Sequence, residues 1–124
     1  MKMELKRYAL TNDNTIITDI RHCSYDDKKY EYAQSRSKEG VVFMRDLMVS
    51  QVKKTSDNIL DLVEVGDLVC LKDDYFNNGT TIHEVLEIRG RFIRCLTYVV
   101  QIENILAIYK LQPNGDYKRY EVKA

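Results

Sequence analysis

The stretch Ala107–Val122, AIYKLQPNGDYKRYEV, is the clearest guide to fold in the chain. Pro113, Asn114, Gly115 and Asp116 stand between two runs rich in β-formers, and Asn and Gly accept the positive φ of a tight turn. The stretch therefore predicts a hairpin, with strands over Ala107–Leu111 and Tyr117–Val122. Working back from it, Ile102–Leu106 reads as one helical turn feeding the first of these strands. Thr81–Ile88 and Arg91–Val100 read as a second hairpin pairing across Gly90, and Asp73, Asp74, Asn77, Asn78 and Gly79 as an exposed loop before it. Gly66 and Asp67 make a turn directly before the apolar run Leu68–Leu71. Upstream again, Thr55, Ser56 or Asp57 is placed to cap a short helical turn over Asn58–Leu62, and Asp57 also favours that end electrostatically. Several short strands from Gly66 onward, bent at glycines and with a helical turn before a late strand, predict a mainly β protein built on a small SH3-like β-barrel.

The first fifty or so residues read as a β extension of that barrel. Met3–Leu10 and Thr15–Ile20 form an opening hairpin across Asn12, Asp13 and Asn14, whose side chains tolerate left-handed geometry. Tyr30 and Tyr32, alternating with Glu31, mark a third strand. Val41–Val52 fits two periods: Val41, Met44, Met48 and Val52 roughly follow helical spacing, whereas Met48, Ser50 and Val52 share one face of a strand. Residues 36–50 are thus open between helix and strand; the β-rich surroundings favour a strand for at least Leu47–Val52, after a loop over Ser35–Gly40. With a single proline, Pro113, no internal repeat and no low-complexity tract, the expected organisation is one domain, residues 1–54 as extension and 55–124 as barrel.

Composition narrows the class. In 124 residues, 44% are hydrophobic and 31% charged, which excludes a disordered chain. Lys plus Arg and Asp plus Glu both total 19, so a general nucleic-acid or membrane-surface binder, which carries excess positive charge, does not fit. No run approaches the roughly 20 apolar residues of a membrane span, and Met1–Arg7 is charged where a signal peptide turns apolar, so a cytoplasmic location is expected, the host cytoplasm for a phage product. Cys23, Cys70 and Cys95 are an odd number at wide spacing and read as reduced thiols. The sequon Asn78-Gly79-Thr80 is discounted on the same reading of compartment.

No catalytic signature is present: G-x-S-x-G, H-E-x-x-H, the P-loop and G-x-G-x-x-G are all missing. His83 and Glu84 resemble a base with its orienting carboxylate, but neighbours on a strand point to opposite faces. No C-x-x-C or H-x-x-x-H pair sets two ligands side by side among His22, Cys23, Cys70, His83 and Cys95, and Asp57, Asp61 and Glu64, which could line one side of a helical turn as metal ligands, read as a cap and a solvated face. The expectation is no enzyme, no cofactor and no metal.

Charge is unevenly spread along the chain. Between Thr55 and Tyr75, Asp57, Asp61, Glu64, Asp67, Asp73 and Asp74 face only Lys72. From Arg89 onward, Arg89, Arg91, Arg94, Lys110, Lys118, Arg119 and Lys123 face Glu103, Asp116 and Glu121. An acidic edge of Asp61, Glu64, Asp73 and Asp74 is a candidate protein-binding surface that imitates nucleic-acid phosphates. Arg89, Arg91, Phe92, Arg94, Lys118 and Arg119 are the alternative, a stacking and phosphate-contacting face for RNA or single-stranded DNA. Nine tyrosines without tryptophan suit a protein interface equally well.

The run S-x-N-I-x-D-L-x-E-V-G-D at Ser56–Asp67, with I-Y-K at Ile108–Lys110 and N-G-D-Y at Asn114–Tyr117, resembles small uncharacterised proteins of phages and prophages of Gram-positive bacteria. The resemblance covers roughly a third of the chain, and its motifs are turns and a strand entry, so it implies a genomic setting and transfers no catalytic residue. The function it implies is that of a non-enzymatic accessory protein that binds and blocks a host macromolecule, with a defence nuclease as target in the manner of an anti-CRISPR inhibitor. The alternatives are a nucleic-acid-binding barrel and a sponge for a nucleotide signal held between subunits.

Overall fold

The computed structural model describes residues 5–18, 20–22, 29–35, 42–72, 80–96 and 99–122. The described chain is mainly β, with three short 3-10 turns and four separate antiparallel sheets. It divides into two compact units, residues 1–62 and 63–124. No helix among the described residues is long and apolar enough to cross a membrane.

In the first unit, strands β1 (Tyr8–Thr11) and β2 (Ile16–Ile17) form the expected opening hairpin, and Asn14 takes the left-handed conformation at φ 68°. Strand β1 begins at Tyr8, and the Lys6 and Arg7 N–H groups donate to the Thr55 hydroxyl (2.8 Å) and the Asp57 carboxylate (3.2 Å) rather than to a strand ladder; Met3 and Glu4, where the expected strand begins, lie outside the described residues. Strands β3 (Ile20–His22), β4 (Lys29–Ser35) and β5 (Val42–Met48) make a second sheet in the order β3-β4-β5. Ser35 ends β4, and residues 36–41 lie outside the described set.

The expected strand over Leu47–Val52 is interrupted. A 3-10 turn, Val49–Gln51, separates β5 from β6 (Val52–Ser56). The cause is topological: β5 pairs with β4, while β6 pairs with β1 in the other sheet, so the chain must change direction between them. The Gln51 side chain holds the turn by accepting the Met48 N–H at 2.9 Å. Leu5, Ala9, Ile17, Tyr30, Leu47 and Val52 then pack as the core of this unit. A second 3-10 turn, Ile59–Leu62, follows as anticipated; Ser56 Oγ accepts the Asn58 N–H and Asn58 Oδ1 accepts the Leu60 N–H. Ser56, not Thr55 or Asp57, thus starts the turn, and since β6 is bound to β1, residues 55–62 belong with the first unit rather than with the predicted barrel.

In the second unit, β7 (Leu68–Lys72), β8 (Thr80–Glu84), β12 (Ile105–Leu111) and β13 (Tyr117–Glu121) form a sheet in the order β13-β12-β7-β8. Strands β9 (Glu87–Arg89), β10 (Phe92–Arg94) and β11 (Val99–Gln101) form another, in the order β11-β10-β9. The two ladders are not joined into a closed barrel among the described residues, so the prediction holds as a mainly β unit and not as barrel closure. The long hairpin expected across Gly90 is also shorter than read. Thr81–Glu84 pairs with β7, and only β9 meets β10, because the Val85 N–H and C=O bond to Asp67 and Gly66 and draw the chain out of the strand. The hairpin β12–β13, with Gly115 at φ 90°, stands where the sequence places it, whereas the turn expected over Ile102–Leu106 is limited to Ile102–Asn104 and β12 already begins at Ile105.

Candidate interaction surface

Antiparallel register decides which side chains share a face. Phe92 lies opposite Arg89 on one side and Gln101 on the other, and Arg94 lies opposite Glu87 and Val99. These six residues form the outer face of the β9-β10-β11 sheet, while Ile93, between them in β10, is fully buried on the inner face. On the outer face Phe92 is 47% and Val99 66% exposed, and Leu96, in the connection between β10 and β11, is 85% exposed. Glu87, Arg89, Phe92, Ile93, Arg94 and Val99 line a shallow concavity of about 240 Å³.

The arginines of this face are already paired. The Glu87 carboxylate accepts from Arg94 at 3.2 Å and also from Arg89, and these contacts hold its carboxyl below the ordinary range, with the Arg94 bond the largest cause. Arg91 turns away to Glu103, whose carboxyl it likewise holds low. Lys118 and Arg119 lie on β13, in the other sheet, and as neighbours on a strand they point to opposite faces. Lys118 stands over the Tyr120 ring at 5.4 Å; Arg119 stands over Tyr109 at 5.4 Å and bonds Glu121 at 2.5 Å, which raises its own affinity for the proton. The six residues of the predicted nucleic-acid face are therefore split between two sheets, and the arginines among them are matched with carboxylates.

Of the predicted acidic edge, Asp73 and Asp74 lie outside the described residues. Asp61 belongs to the first unit and accepts the Ser56 hydroxyl at 2.5 Å. Glu64 belongs to the second, 3.5 Å from the ammonium of Lys110. Asp57 accepts the Arg7 N–H. His83 Nε2 is 2.8 Å from the Thr81 hydroxyl, its neighbour two positions back on the same face of β8, as strand alternation requires. Cys70 and Cys95 are buried free thiols, and burial pushes the Cys95 thiol up; Cys23 lies outside the described residues. Among the described residues no three His, Cys, Asp or Glu gather as metal ligands.

Two features escaped the sequence reading. Lys110, counted there with the basic end, is fully buried, and its ammonium lies 2.6 Å from Asp67. Asp67 in turn accepts the Glu64 N–H at 2.8 Å, closing the turn that enters β7. Burial raises the Asp67 carboxyl above its ordinary range despite that hydrogen bond and the lysine, so desolvation outweighs the partner's attraction. The only signal for this pair was a lysine in the alternating run Ile108–Leu111, where it reads as a surface residue. Val99 and Leu96 were the second omission, because neither belongs to a charged cluster. No family model, curated protein or solved structure matches this chain.

Proposed function

We propose that this chain is a non-enzymatic binding protein that recognises a protein partner through the outer face of the β9-β10-β11 sheet. The observation that carries the reading is the uncovered pair Phe92 and Val99 set beside Arg89 and Arg94, which share the Glu87 carboxylate and so have their charge offset in part. An apolar centre with a polar rim suits a protein surface, where an aromatic anchor supplies most of the binding free energy. A phosphate backbone calls for uncompensated cations, and here Arg89 and Arg94 are both held by the Glu87 carboxylate that a phosphate would have to displace. The blocking of a host protein, a defence nuclease in particular, is the role that the phage-like motifs imply for such a surface. An SH3-like arrangement of the second unit is part of the same proposal, supported by the pairing of its first strand, β7, with the late strand β12 that a 3-10 turn feeds.

The test is capture from a nuclease-treated bacterial lysate by the wild-type chain and by a Phe92→Ser/Val99→Ser variant. The expected result is a stoichiometric protein held by the wild type and lost by the variant at nearly unchanged melting temperature. Recovery of nucleic acid alone from an untreated lysate, or equal capture by both chains, would overturn the assignment.

A further inference from the structure

Among the described residues each sheet ends in two edge strands, and an open edge offers N–H and C=O groups to any strand that approaches. Charge on an edge discourages such pairing. Lys53 in β6, Arg21 in β3, Arg45 in β5, Glu84 in β8, Arg89 in β9 and Lys118 in β13 each supply it. Strand β2 is two buried residues. The remaining edge, β11, is Val99-Val100-Gln101, which carries no charge and exposes Val99 and Gln101. The ladder shows which backbone groups this edge presents. The Ile102 N–H donates to the Arg91 carbonyl at 2.8 Å, so in the register of β10 and β11 the hydrogen-bonded pairs are Arg91 with Ile102 and Ile93 with Val100. Val99 and Gln101 occupy the alternate pairs, and their N–H and C=O groups point away from β10. No strand among the described residues lies on that side.

We infer that β11 pairs antiparallel with β11 of a second copy of this chain, joining the two β9-β10-β11 sheets edge to edge. The strand is complementary to itself. With the two Val100 residues opposite each other, Val99 meets Gln101 of the second copy and Gln101 meets its Val99. Both positions face outward, so each of these reciprocal pairs closes with backbone hydrogen bonds in both directions. The two half-buried Val100 side chains then form a β-branched cross-strand pair. No like charges are brought opposite each other, because Arg89 and Arg94 stand on β9 and β10, behind the seam. A seam three residues long is far smaller than the roughly 800 Å² per partner of a stable complex, so the association is reversible and depends on concentration. This inference does not rest on the partner reading above, since the seam uses the edge of the sheet and leaves its outer face open.

Sedimentation equilibrium of the full chain between about 10 µM and about 1 mM tests this pairing. The weight-average mass is expected to climb reversibly from 14.6 kDa toward twice that value. Gln101→Pro is the sharpest variant: Gln101 has φ −69°, which a proline ring accepts, and the N–H it removes points away from β10. It should weaken self-association at least about tenfold at nearly unchanged melting temperature. Val99→Lys, which gives β11 the charge that the other exposed edges carry, should weaken it to a similar degree. Phe92→Ser, one strand back on β10, should leave the association constant within about twofold of the wild type, which separates this seam from the outer face. A thermal melt identifies the variants that fold, and if one β11 variant does not, the other decides. A monomer over the whole concentration range, or a folded β11 variant that dimerises as the wild type does, would overturn the inference.

Discussion

Lys110 on β12 and Arg94 on β10 each face carboxylates in the second unit, yet the two arrangements do different work. Lys110 is sealed from water against Asp67, so its charge acts on stability alone. Arg94 and Arg89 share Glu87 at the surface, where water screens the pair and the consequence is a sheet face without strong net charge. In sequence both are a basic residue among β-formers; burial, which depends on register, separates a structural pair from a surface that can meet a partner.

The largest effect is expected from breaking the buried side of this comparison. Lys110→Met leaves the Asp67 carboxylate buried without its cation and should cost about 3–5 kcal/mol in urea denaturation. Adding Asp67→Asn, which still accepts the Glu64 N–H, should restore much of that loss, and the double-mutant cycle then gives the coupling. A loss as small for Lys110→Met as for a surface lysine would contradict the buried pair.

The exposed side is sharpened by Glu87→Gln. Freed from their carboxylate, Arg89 and Arg94 should delay elution from a single-stranded DNA column at low salt, and the delay should vanish at high salt, with little change in melting temperature. Unchanged elution would mean that Glu87 does not neutralise the face.

The smallest effect is on pH dependence, where the two sites carry opposite signs. Glu87, Glu103 and Glu121 have depressed carboxyl pKa values, so the stability they contribute is present above the ordinary carboxylate range and is lost as pH falls through the depressed values. Asp67 is raised, so its contribution is present below the ordinary range and is lost as pH rises through the raised value. Urea midpoints between pH ~3 and ~7 should therefore lose part of their acid-side fall in Glu87→Gln, whereas Asp67→Asn should lose a decline on rising pH. The same profile in both variants would contradict the opposite signs.

Local turn chemistry accounts for what the sequence revealed. Asn12–Asn14, Gly66–Asp67 and Pro113–Asp116 each carry their own backbone preference, and all three turns stand where they were read. The run Val41–Val52 was ambiguous because its break comes from a change of sheet, which no residue within it announces. The grouping of Arg89, Phe92 and Arg94 was also legible, since alternation alone puts Phe92 and Arg94 on one face. Their shared pairing with Glu87 was not: Arg94 reaches that carboxylate across the strands, and a charge count started at Arg89 leaves Glu87 just outside. Lys110 was misread for a similar reason, because its partner Asp67 is 43 positions away and only the pairing of β12 with β7 brings them together.

The most direct test of the binding face is the salt dependence of affinity for the captured partner, measured with purified wild type and Phe92→Ser. Recognition by the apolar centre predicts an affinity that changes little between low and high salt and falls at least about tenfold in Phe92→Ser. An affinity that collapses with salt and ignores Phe92 would show that charge, not the aromatic platform, carries recognition.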